Sequence, residues 1–350
     1  VGITGTNGKT TVTTLLHQIW QEAKWSSGLI GTINTQIDSE ILPSLHTTPE
    51  ASDLQALMAT MYERHIRTVA MEVSSHALSL NRIAGSHFNI AGFTNLSQDH
   101  LDFHRDMNEY FAAKSKLFNV GLSDAGIINV DDQYGEQLAA RIQIPVTTVS
   151  RKNKKADWHY EFIDGSSVKI RGIGGILIEG NTSLLGDFNF DNLLMAVAIA
   201  TMSGIDPIEI GTNLNKYRGA PGRFEQVQVG QEFIAFVDYA HTPDAVKRIL
   251  AAAKKLTTGK VIAILGCGGD RDKSKRPLMG QALVDGSDYA IFTSDNPRSE
   301  DPKQILKEMV GSNSGQIIEN RKTAIEHAVS MAKPGDVVAI LGKGHETGQE

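Results

Sequence analysis

The sequence has a single cysteine, no excess of positive charge and no long apolar run. Among its 350 residues only Cys267 carries a thiol, so no intrachain disulfide can form and we expect a reducing cytoplasm. A membrane span needs about 18 consecutive apolar residues, and no stretch of the sequence approaches that length, so no membrane partner is expected. The formal net charge of -6 disfavours nucleic-acid binding. Local positive clusters should therefore serve small anionic ligands.

The length and the pattern of elements predict two α/β domains. A chain of 350 residues is too long for one ordinary core, and apolar (41%) and charged (21%) fractions are those of a globular protein. Short apolar runs alternate with helical patterns, which predicts a mostly parallel, doubly wound sheet. Gly and Pro between Arg218 and Arg223 mark a boundary. We predict a central domain over residues 1–219 and a smaller Rossmann-like domain over 220–350.

Particular segments are predicted as follows. A helix from Pro49 to His65 should begin with Thr48 as its cap and Pro49 in its first turn. The glycine-broken run from Trp158 to Ile178 should form antiparallel hairpins. Helices are expected at 9–23, 108–118, 189–202, 243–256, 277–284, 302–310 and 322–331, and strands at 1–4, 68–73, 90–95, 126–130, 234–238, 261–265, 289–294 and 337–341.

The opening segment Gly5-Thr6-Asn7-Gly8-Lys9-Thr10 follows a short strand and precedes a helix. Glycines allow backbone N–H groups to turn inward on phosphate oxygens at a helix N-terminus. Lys9 would reach the terminal phosphates, and the Thr10 hydroxyl would coordinate Mg²⁺. Ile3 stands where the strict phosphate-loop pattern has its first glycine, which leaves a glycine-rich helix cap as the alternative.

A series of motifs then follows in order along the chain. They are Thr47–Glu50, Glu72–His76, Asn95–Asp102, Ala112–Lys114, Gly186–Asn192, Gly222–Glu225, Asp238–Asp244, Gly266–Arg276, Asp295–Arg298 and Gly342–Glu346. With the phosphate loop, this series resembles the Mur ligases, cytoplasmic enzymes that add amino acids to the peptidoglycan precursor. It is most similar to the MurE branch, which adds the third residue of the stem peptide and has three domains. The resemblance begins at the second, so we expect the N-terminal UDP-binding domain to be absent.

The resemblance implies an ATP site with a magnesium centre. It assigns ATP binding to Gly5, Thr6, Asn7, Gly8, Lys9, Thr10, Thr11, Asn192 and Asp238. It makes Thr10, Glu72 and His100 the metal ligands, with Lys9, Glu72, His100 and Lys114 catalytic. Lys114 is expected to be carbamylated by CO₂. From the residues alone, His100 would be a structural histidine, Lys114 a solvated helix lysine and Asn192 a buried structural amide.

The resemblance also implies the two substrates. Thr47, Thr48, Ser74 and Arg82 match positions that contact the UDP-N-acetylmuramoyl dipeptide. Arg271, Asp295, Asn296, Pro297, Arg298, Gly342 and Glu346 match positions that contact meso-diaminopimelate. The guanidinium of Arg298 suits the second carboxylate, which lysine lacks, and Glu346 suits the distal ammonium. A surface salt bridge is the alternative role for Arg298.

These features predict a monomeric, ADP-forming amide ligase with ATP and Mg²⁺. The carboxylate would be phosphorylated to an acyl phosphate, which the amine of meso-diaminopimelate then attacks. Three alternatives stay open: a lysine-adding MurE, a folylpolyglutamate synthetase-like ligase, and a non-catalytic MurE-like interaction protein.

Overall fold

The first 219 residues, apart from Leu185–Asp187, fold around one large sheet. The structure is a computed structural model that describes residues 1–101, 103–346 and 348–349. The strands are β1 Gly2–Thr4, β2 Ser27–Ile30, β3 Asn34–Ile37, β4 Glu40–Pro43, β5 Thr68–Glu72, β6 Phe88–Phe93, β7 Ser123–Asn129, β8 Val146–Ser150, β9 Trp158–Asp164, β10 Ser167–Arg171 and β11 Leu177–Asn181. The helices are α1 Lys9–Glu22, α2 Ala51–Glu63, α3 Ser75–Ser79, α4 Met107–Ser115, α5 Gln133–Arg141, α6 Asp187–Met202 and α7 Pro207–Asn213, with 3₁₀ turns at Lys116–Phe118, Ile173–Gly175 and Leu214–Lys216.

The order of the strands places the first strand at the centre of this sheet. The order is β11-β10-β9-β8-β7-β6-β1-β5-β2-β3-β4. Strands from β2 across to β9 pair in parallel, and antiparallel hairpins extend both edges. Strand β1 lies between β5 and β6, so the segments that follow these three strands emerge side by side. Ligands bind at this carboxyl edge in open α/β sheets.

Apolar side chains cover both faces of the parallel strands. Ile3 of β1 is fully buried in one core with Leu15 of α1 and Leu193 of α6. Helix α6 carries an almost unbroken buried run from Leu193 to Ala200, because it packs inside the unit rather than along its surface. Phe93 at the end of β6 belongs to a second core on the opposite face. Strands buried on both faces read as continuous apolar runs, which made β1, β5, β6 and β7 predictable.

The second unit consists of Leu185–Asp187 and the chain from Ala220 onward, and has its own smaller sheet. Its strands are β12 Glu225–Val227, β13 Ile234–Asp238, β14 Val261–Leu265, β15 Tyr289–Phe292, β16 Gln316–Ile317 and β17 Val337–Leu341. Its helices are α8 Pro243–Lys255, α9 Lys275–Gly286, α10 Pro302–Val310 and α11 Arg321–Met331. The order is β12-β13-β17-β14-β15-β16, and only β12 runs antiparallel to its neighbour.

The predicted fold class is confirmed, since a large, mostly parallel sheet is joined to a smaller α/β sheet. The predicted cap of α2 is wrong. The helix begins at Ala51 after Glu50, and Thr48 is fully buried. The Thr48 hydroxyl donates to the Glu72 carbonyl at 2.8 Å and accepts from the Ser74 amide at 3.1 Å, so it ties the loop before α2 to the end of β5. The antiparallel extension of β2 by β3 and β4 was not predicted.

Candidate functional site

The loop after β1 is shaped by Gly8, which precedes α1. Gly8 has φ 90°, a conformation that side chains other than glycine rarely adopt. A Cβ at Gly8 would lie 2.3 Å from Oδ1 of Asn192, so the α6 amide packs directly against this loop. Asn192 also donates to Asn189 Oδ1 at 3.4 Å. The structure therefore brings Asn192 to the phosphate loop, with which the motif resemblance had grouped it.

The loop is fastened to the segment after β6 by several hydrogen bonds. The Thr6 amide donates to the Asn95 carbonyl at 2.9 Å, and the Asn7 amide donates to Asn95 Oδ1 at 3.0 Å. The Thr94 hydroxyl donates to the Asn7 carbonyl at 2.6 Å. Thr11 is buried in the first turn of α1. These bonds fix the loop at the start of α1, where backbone N–H groups have no partner within the helix.

Two lysines share one carbonyl of this loop. Lys9 Nζ donates to the carbonyls of Gly5 at 3.0 Å and Thr6 at 2.9 Å, and Lys114 Nζ donates to the Gly5 carbonyl at 2.8 Å. Lys114 is only 1% exposed, so the alternative of a solvated helix lysine is wrong. Burial, followed by the nearby charge of Lys9, lowers the pKa of Lys114 well below its ordinary value, while Asp99 acts in the opposite direction. Burial therefore shifts the titration of Lys114 toward the neutral amine.

A buried carboxylate lies next to the first helical turn. Glu72, at the end of β5, accepts from the Thr10 hydroxyl at 2.9 Å through Oε2. Thr32 donates its amide to Oε1 at 2.7 Å and its hydroxyl to Oε2 at 3.1 Å. The adjacent ends of β1 and β5 therefore place a hydroxyl and a carboxylate, both hard oxygen donors of the kind Mg²⁺ prefers, within contact of each other.

His100 lies in an aromatic cluster beside the phosphate loop. Its ring centroid is 5.0 Å from that of His76 and 6.0 Å from that of Tyr110, whose hydroxyl is 3.2 Å from the Thr6 hydroxyl. Burial lowers the pKa of His100, and the charge of Asp99 opposes this effect only in part. The lowered pKa shifts His100 toward the neutral imidazole. Within the described residues, no group of three or more His, Cys, Asp or Glu forms a ready metal cage. Asp102, the last residue of the motif Asn95–Asp102, lies outside the described residues.

The residues assigned to the nucleotide-sugar dipeptide form a hydrogen-bonded row around the end of β5. The Thr47 hydroxyl oxygen lies 3.0 Å from that of Thr32, whose proton goes to Glu72. Ser74 caps α3 by accepting from the Ala77 amide at 3.1 Å. Arg82 donates to the Thr48 carbonyl at 3.4 Å and pairs with Glu50 at 2.7 Å. These side chains surround the end of β5, as the motif order implied, although each also has a local structural partner.

The second unit contains a cavity of about 370 Å³ at the carboxyl edge of its own sheet. The cavity is lined by Tyr239, His241, Gly266, Cys267, Gly268, Arg271, Asp272, Lys275, Arg276, Met279, Asp295, Asn296, Arg298, Gly342 and Glu346. Six of the seven residues assigned to the amino acid are among them. The seventh, Pro297, is adjacent and accepts from the Glu300 amide at 3.0 Å through its carbonyl. The volume is in the range of small-molecule sites.

Lys343 connects the acceptor groups of this cavity. Its ammonium donates to Asn296 Oδ1 at 2.9 Å, Glu346 Oε2 at 3.2 Å and Asp295 Oδ1 at 3.3 Å. Asn296 Nδ2 also donates to Glu346 Oε2 at 3.1 Å. The cluster holds two carboxylates and one ammonium, so its formal charge is one negative unit. On the other side, Arg298 Nη1 donates to the Gly269 carbonyl at 2.8 Å.

Burial raises the pKa of both Asp238 and Cys267. Asp238, at the end of β13, accepts from the amides of Phe224 at 2.8 Å and Ala240 at 2.7 Å, and burial raises its pKa. Its carboxylate therefore joins the turn after β13 to the residue that precedes β12. Burial, with a smaller effect of the Asp295 charge, raises the pKa of the Cys267 thiol to about 12. A thiol in this state is a poor nucleophile.

Comparison with known proteins decides the family. The model described as Mur ligase middle domain matches residues 3–200, and the model described as Mur ligase, glutamate ligase domain matches residues 222–344. The chain belongs to the Mur ligase family. The Streptomyces coelicolor protein UDP-N-acetylmuramoyl-L-alanyl-D-glutamate--2,6-diaminopimelate ligase is 46% identical over 364 residues, covering 100% of this chain and 72% of that protein.

Solved structures agree with this placement in the family. A structure of a UDP-N-acetylmuramoyl-L-alanyl-D-glutamate--2,6-diaminopimelate ligase is 35% identical with a TM-score of 0.77, covering 100% of this chain and 74% of that one. The bifunctional folylpolyglutamate synthase/dihydrofolate synthase of Yersinia pestis, complexed with AMPPNP and Mn ion, has a TM-score of 0.72 at 19% identity, covering 98% of this chain and 86% of that one. The second likeness shows only a shared fold.

Several residues of this Mur ligase's candidate sites were not predicted from the sequence. Thr32 contacts both oxygens of Glu72, Arg276 lines the cavity of the second unit, and Lys343 donates to three of its lining residues. Lys343 lies in the recognised motif Gly342–Glu346, and Arg276 lies in the recognised motif Gly266–Arg276. Membership in these motifs could therefore have indicated both residues. Thr32 had no such signal, because its contact with Glu72 depends on the pairing of β2 with β5.

Proposed function

We propose that this Mur ligase joins meso-diaminopimelate to the D-glutamyl carboxylate of UDP-N-acetylmuramoyl-L-alanyl-D-glutamate, with ATP hydrolysed to ADP and phosphate. The observation that carries the proposal is the cavity of the second unit, which combines Arg271 and Arg298 with the acceptors Asp295, Asn296 and Glu346. Groups of both signs in one cavity suit an amino acid whose far end carries a carboxylate and an ammonium. Relatives at 46% identity bear the name of this activity.

The phosphate loop would hold the ATP phosphates. Amides at the start of α1 would donate to a bound anion, and the helix dipole favours negative charge there. Lys9, whose ammonium already lies at the loop carbonyls, would move to the γ-phosphate and neutralise charge that develops as it is transferred. A carboxylate oxygen of the substrate would form the new bond to phosphorus while the bond to ADP breaks. Positioning and charge stabilisation, rather than a covalent nucleophile, would supply the rate enhancement.

Magnesium fits the oxygen donors beside this loop. Mg²⁺ keeps several waters and is usually bound by one or two carboxylates together with substrate phosphates, so a full protein cage is not required. Thr10 and Glu72 would hold one ion, and His100 together with Glu72 would hold a second. When bound, Mg²⁺ would supply charge neutralisation at the phosphate oxygens. Thr32 would keep Glu72 oriented through its two hydrogen bonds.

Lys114 is proposed as the site of carbamylation. Its burial and the neighbouring Lys9 favour the neutral amine, which is the form that adds to CO₂. The resulting carbamate would carry a negative charge beside the Lys9 ammonium. The attraction between that charge and the Lys9 ammonium would offset part of the cost of burying the carbamate.

The second chemical step would occur when the amine reaches the acyl phosphate. The amine nitrogen would attack the carbonyl carbon, phosphate would leave with the bonding electrons, and the nitrogen would lose a proton to give the amide. Arg298 and Arg271 would bind the distal carboxylate of meso-diaminopimelate, and Glu346 with Asn296 would bind its distal ammonium.

Thr47, Thr48, Ser74 and Arg82 would bind the muramoyl dipeptide beside the end of β5, and Asn192 and Asp238 would contact ATP. The remaining assigned residues, Gly5, Thr6, Asn7, Gly8 and Thr11, would form the backbone of the phosphate site, with Pro297 and Gly342 shaping the amino-acid cavity. We also propose that the protein is a monomer and acts in the cytoplasm. In the part of the chain that the structure describes, no helix could span a membrane.

The test is amino-acid-dependent release of ADP in the presence of ATP, Mg²⁺ and the muramoyl dipeptide. Meso-diaminopimelate should stimulate release strongly, and lysine should do so weakly because it lacks the second carboxylate. Lysine turnover equal to or better than that with meso-diaminopimelate would overturn the specificity. Stimulation by glutamate on a folate would favour the folylpolyglutamate alternative, and failure of ATP and Mg²⁺ to raise thermal stability would favour the non-catalytic one.

A further inference from the structure

Arg276 is a large, buried charge at the cavity of the second unit that the proposed mechanism does not use. It lies in the first turn of α9 and its side chain is only 2% exposed. Its guanidinium forms a fork on Glu300, with Nη2 to Oε1 at 2.7 Å and Nη1 to Oε2 at 3.0 Å. Nη1 also donates to Glu308 of α10 at 2.6 Å. A buried arginine in a two-point pair fixes direction as well as distance.

Glu300 follows the loop that carries Asn296 and Arg298, and it reaches back to the neighbouring loop. Its Oε1 accepts from the Asp270 amide at 2.7 Å, and Lys273 lies 3.1 Å from its Oε2. The Arg276 hydrogen bond, followed by the Asp270 amide and Lys273, lowers the pKa of Glu300 to about 2, so the carboxylate stays charged. Glu300 therefore links three parts of the segment 270–276 to the loop after β15.

Further bonds join the same two loops. The Gly269 amide donates to the Asn296 carbonyl at 2.8 Å, and Arg298 Nη1 donates to the Gly269 carbonyl at 2.8 Å. The Ser299 hydroxyl donates to Asp270 Oδ1 at 2.6 Å. The loop after β14 carries Arg271, and the loop after β15 carries Arg298, and both arginines line the cavity. The separation of these two guanidinium groups depends on how firmly the loops are joined.

We infer that Arg276 and Glu300 are positioning residues for the amino-acid cavity: their ion pair locks the loop after β14 to the loop after β15 and so fixes Arg271 and Arg298 against one distal carboxylate. The inference rests on the proposed function for the identity of that ligand. Neither residue needs to contact the amino acid. The pair acts through the backbone of Asp270 and of the segment 296–300, which supports the two arginines from behind.

The chain offers a matched control in Glu308. Glu300 and Glu308 both pair with the Arg276 guanidinium, but Glu308 lies on α10, and its second hydrogen-bond partner is Gln304 of the same helix at 2.8 Å. Glu300→Gln and Glu308→Gln each remove one carboxylate charge that pairs with the Arg276 guanidinium. A purely structural role predicts similar effects of the two changes on activity, whereas the positioning role predicts that only Glu300→Gln disturbs the amino-acid cavity.

The experiment compares steady-state kinetics and hydrogen–deuterium exchange in the wild type and both variants. Glu300→Gln should raise KM for meso-diaminopimelate by about tenfold or more and leave KM for ATP unchanged, because small displacements of a positioning group cost up to about a hundredfold. Exchange at 266–274 and 295–301 should accelerate in Glu300→Gln and not in Glu308→Gln. Arg276→Lys, which keeps the charge but loses the fork, should behave like Glu300→Gln.

Two results separate the possible failures. The positioning role would be overturned if Glu300→Gln and Glu308→Gln had the same KM for the amino acid, or if the two variants showed the same exchange rates at 266–274 and 295–301. Either result would count even if meso-diaminopimelate is the substrate. If the wild type prefers lysine, the proposed specificity fails, and the same comparison with lysine and the exchange data still decides whether Glu300 joins the loops.

Discussion

Replacing Gly8 with alanine should separate the two demands that the phosphate loop places on this position. Gly8 has φ 90°, and an added Cβ would lie 2.3 Å from Oδ1 of Asn192. The left-handed backbone costs an alanine about 1–2 kcal/mol. Overpacking against a buried side chain adds about 1–3 kcal/mol, because Asn192 must shift by roughly an ångström. We therefore expect Gly8→Ala to lower the free energy of unfolding by about 2–5 kcal/mol.

Gly121 provides a control for backbone strain alone. Its φ is 88°, and a Cβ there would meet no atom within 4 Å. Gly121→Ala should therefore cost only the about 1–2 kcal/mol of the left-handed conformation. It should leave the affinity for ATP unchanged, because the turn before β7 is not part of the phosphate loop.

Tryptophan fluorescence during urea unfolding measures both variants. Trp20, Trp25 and Trp158 are the three tryptophans of the chain, and all lie in the first unit, so the signal reports on the unit that contains Gly8. Calorimetric titration with ATP and Mg²⁺ should show at least about a tenfold loss of affinity for Gly8→Ala, equal to about 1.4 kcal/mol. Equal stability loss in the two variants, or wild-type ATP affinity in Gly8→Ala, would refute the proposed contact with Asn192.

Three further outcomes are expected. Arg298→Ala should raise KM for meso-diaminopimelate by about 10- to 150-fold, the worth of a charged hydrogen bond, with KM for ATP unchanged; an unchanged amino-acid KM would contradict this. In CO₂-free buffer, the unfolded chain takes up a proton at Lys114 below pH 10.5 before the folded protein does, so the free energy of unfolding of the wild type should fall as the pH is lowered. Lys114→Met lacks this proton, so urea titrations should show its free energy of unfolding rising relative to the wild type between pH 10 and pH 7. A difference that stays constant over this range would count against a lowered pKa. Cys267, with a pKa near 12, should react with iodoacetamide at pH 8 about a thousandfold more slowly than in urea, as mass spectrometry would detect.

Three strands of the second unit were predicted with the observed bounds because each is a mostly continuous apolar run. Ile234–Asp238, Val261–Leu265 and Val337–Leu341 have the predicted bounds, and the last two are almost entirely buried. The edge strand Glu40–Pro43 gave no such signal, since its side chains are largely exposed and its pattern resembles a loop. Burial on both faces leaves a clear pattern in a sequence, whereas an edge strand is held mainly by backbone bonds.

The candidate sites were predictable as sets of residues but not as contacts. Motif resemblance grouped Thr10 with Glu72, and the pairing of β1 with β5 places them 2.9 Å apart. The same resemblance did not indicate that Thr32 binds Glu72 or that Lys343 joins three acceptors. Thr48 was expected to cap a helix, and the buried carbonyl of Glu72 takes its hydroxyl instead. Long-range partners of polar side chains follow from strand order, which local sequence does not encode.

Transfer of oxygen-18 from the substrate carboxylate to phosphate tests the central claim most directly. The D-glutamyl carboxylate of the muramoyl dipeptide would be labelled and turned over with ATP, Mg²⁺ and meso-diaminopimelate. An acyl phosphate requires one carboxylate oxygen to leave with phosphorus, so mass spectrometry should find one labelled oxygen in each phosphate released. Phosphate without label, formed together with the amide product, would contradict phosphorylation of the carboxylate and with it the proposed role of the loop from Gly5 to Thr10.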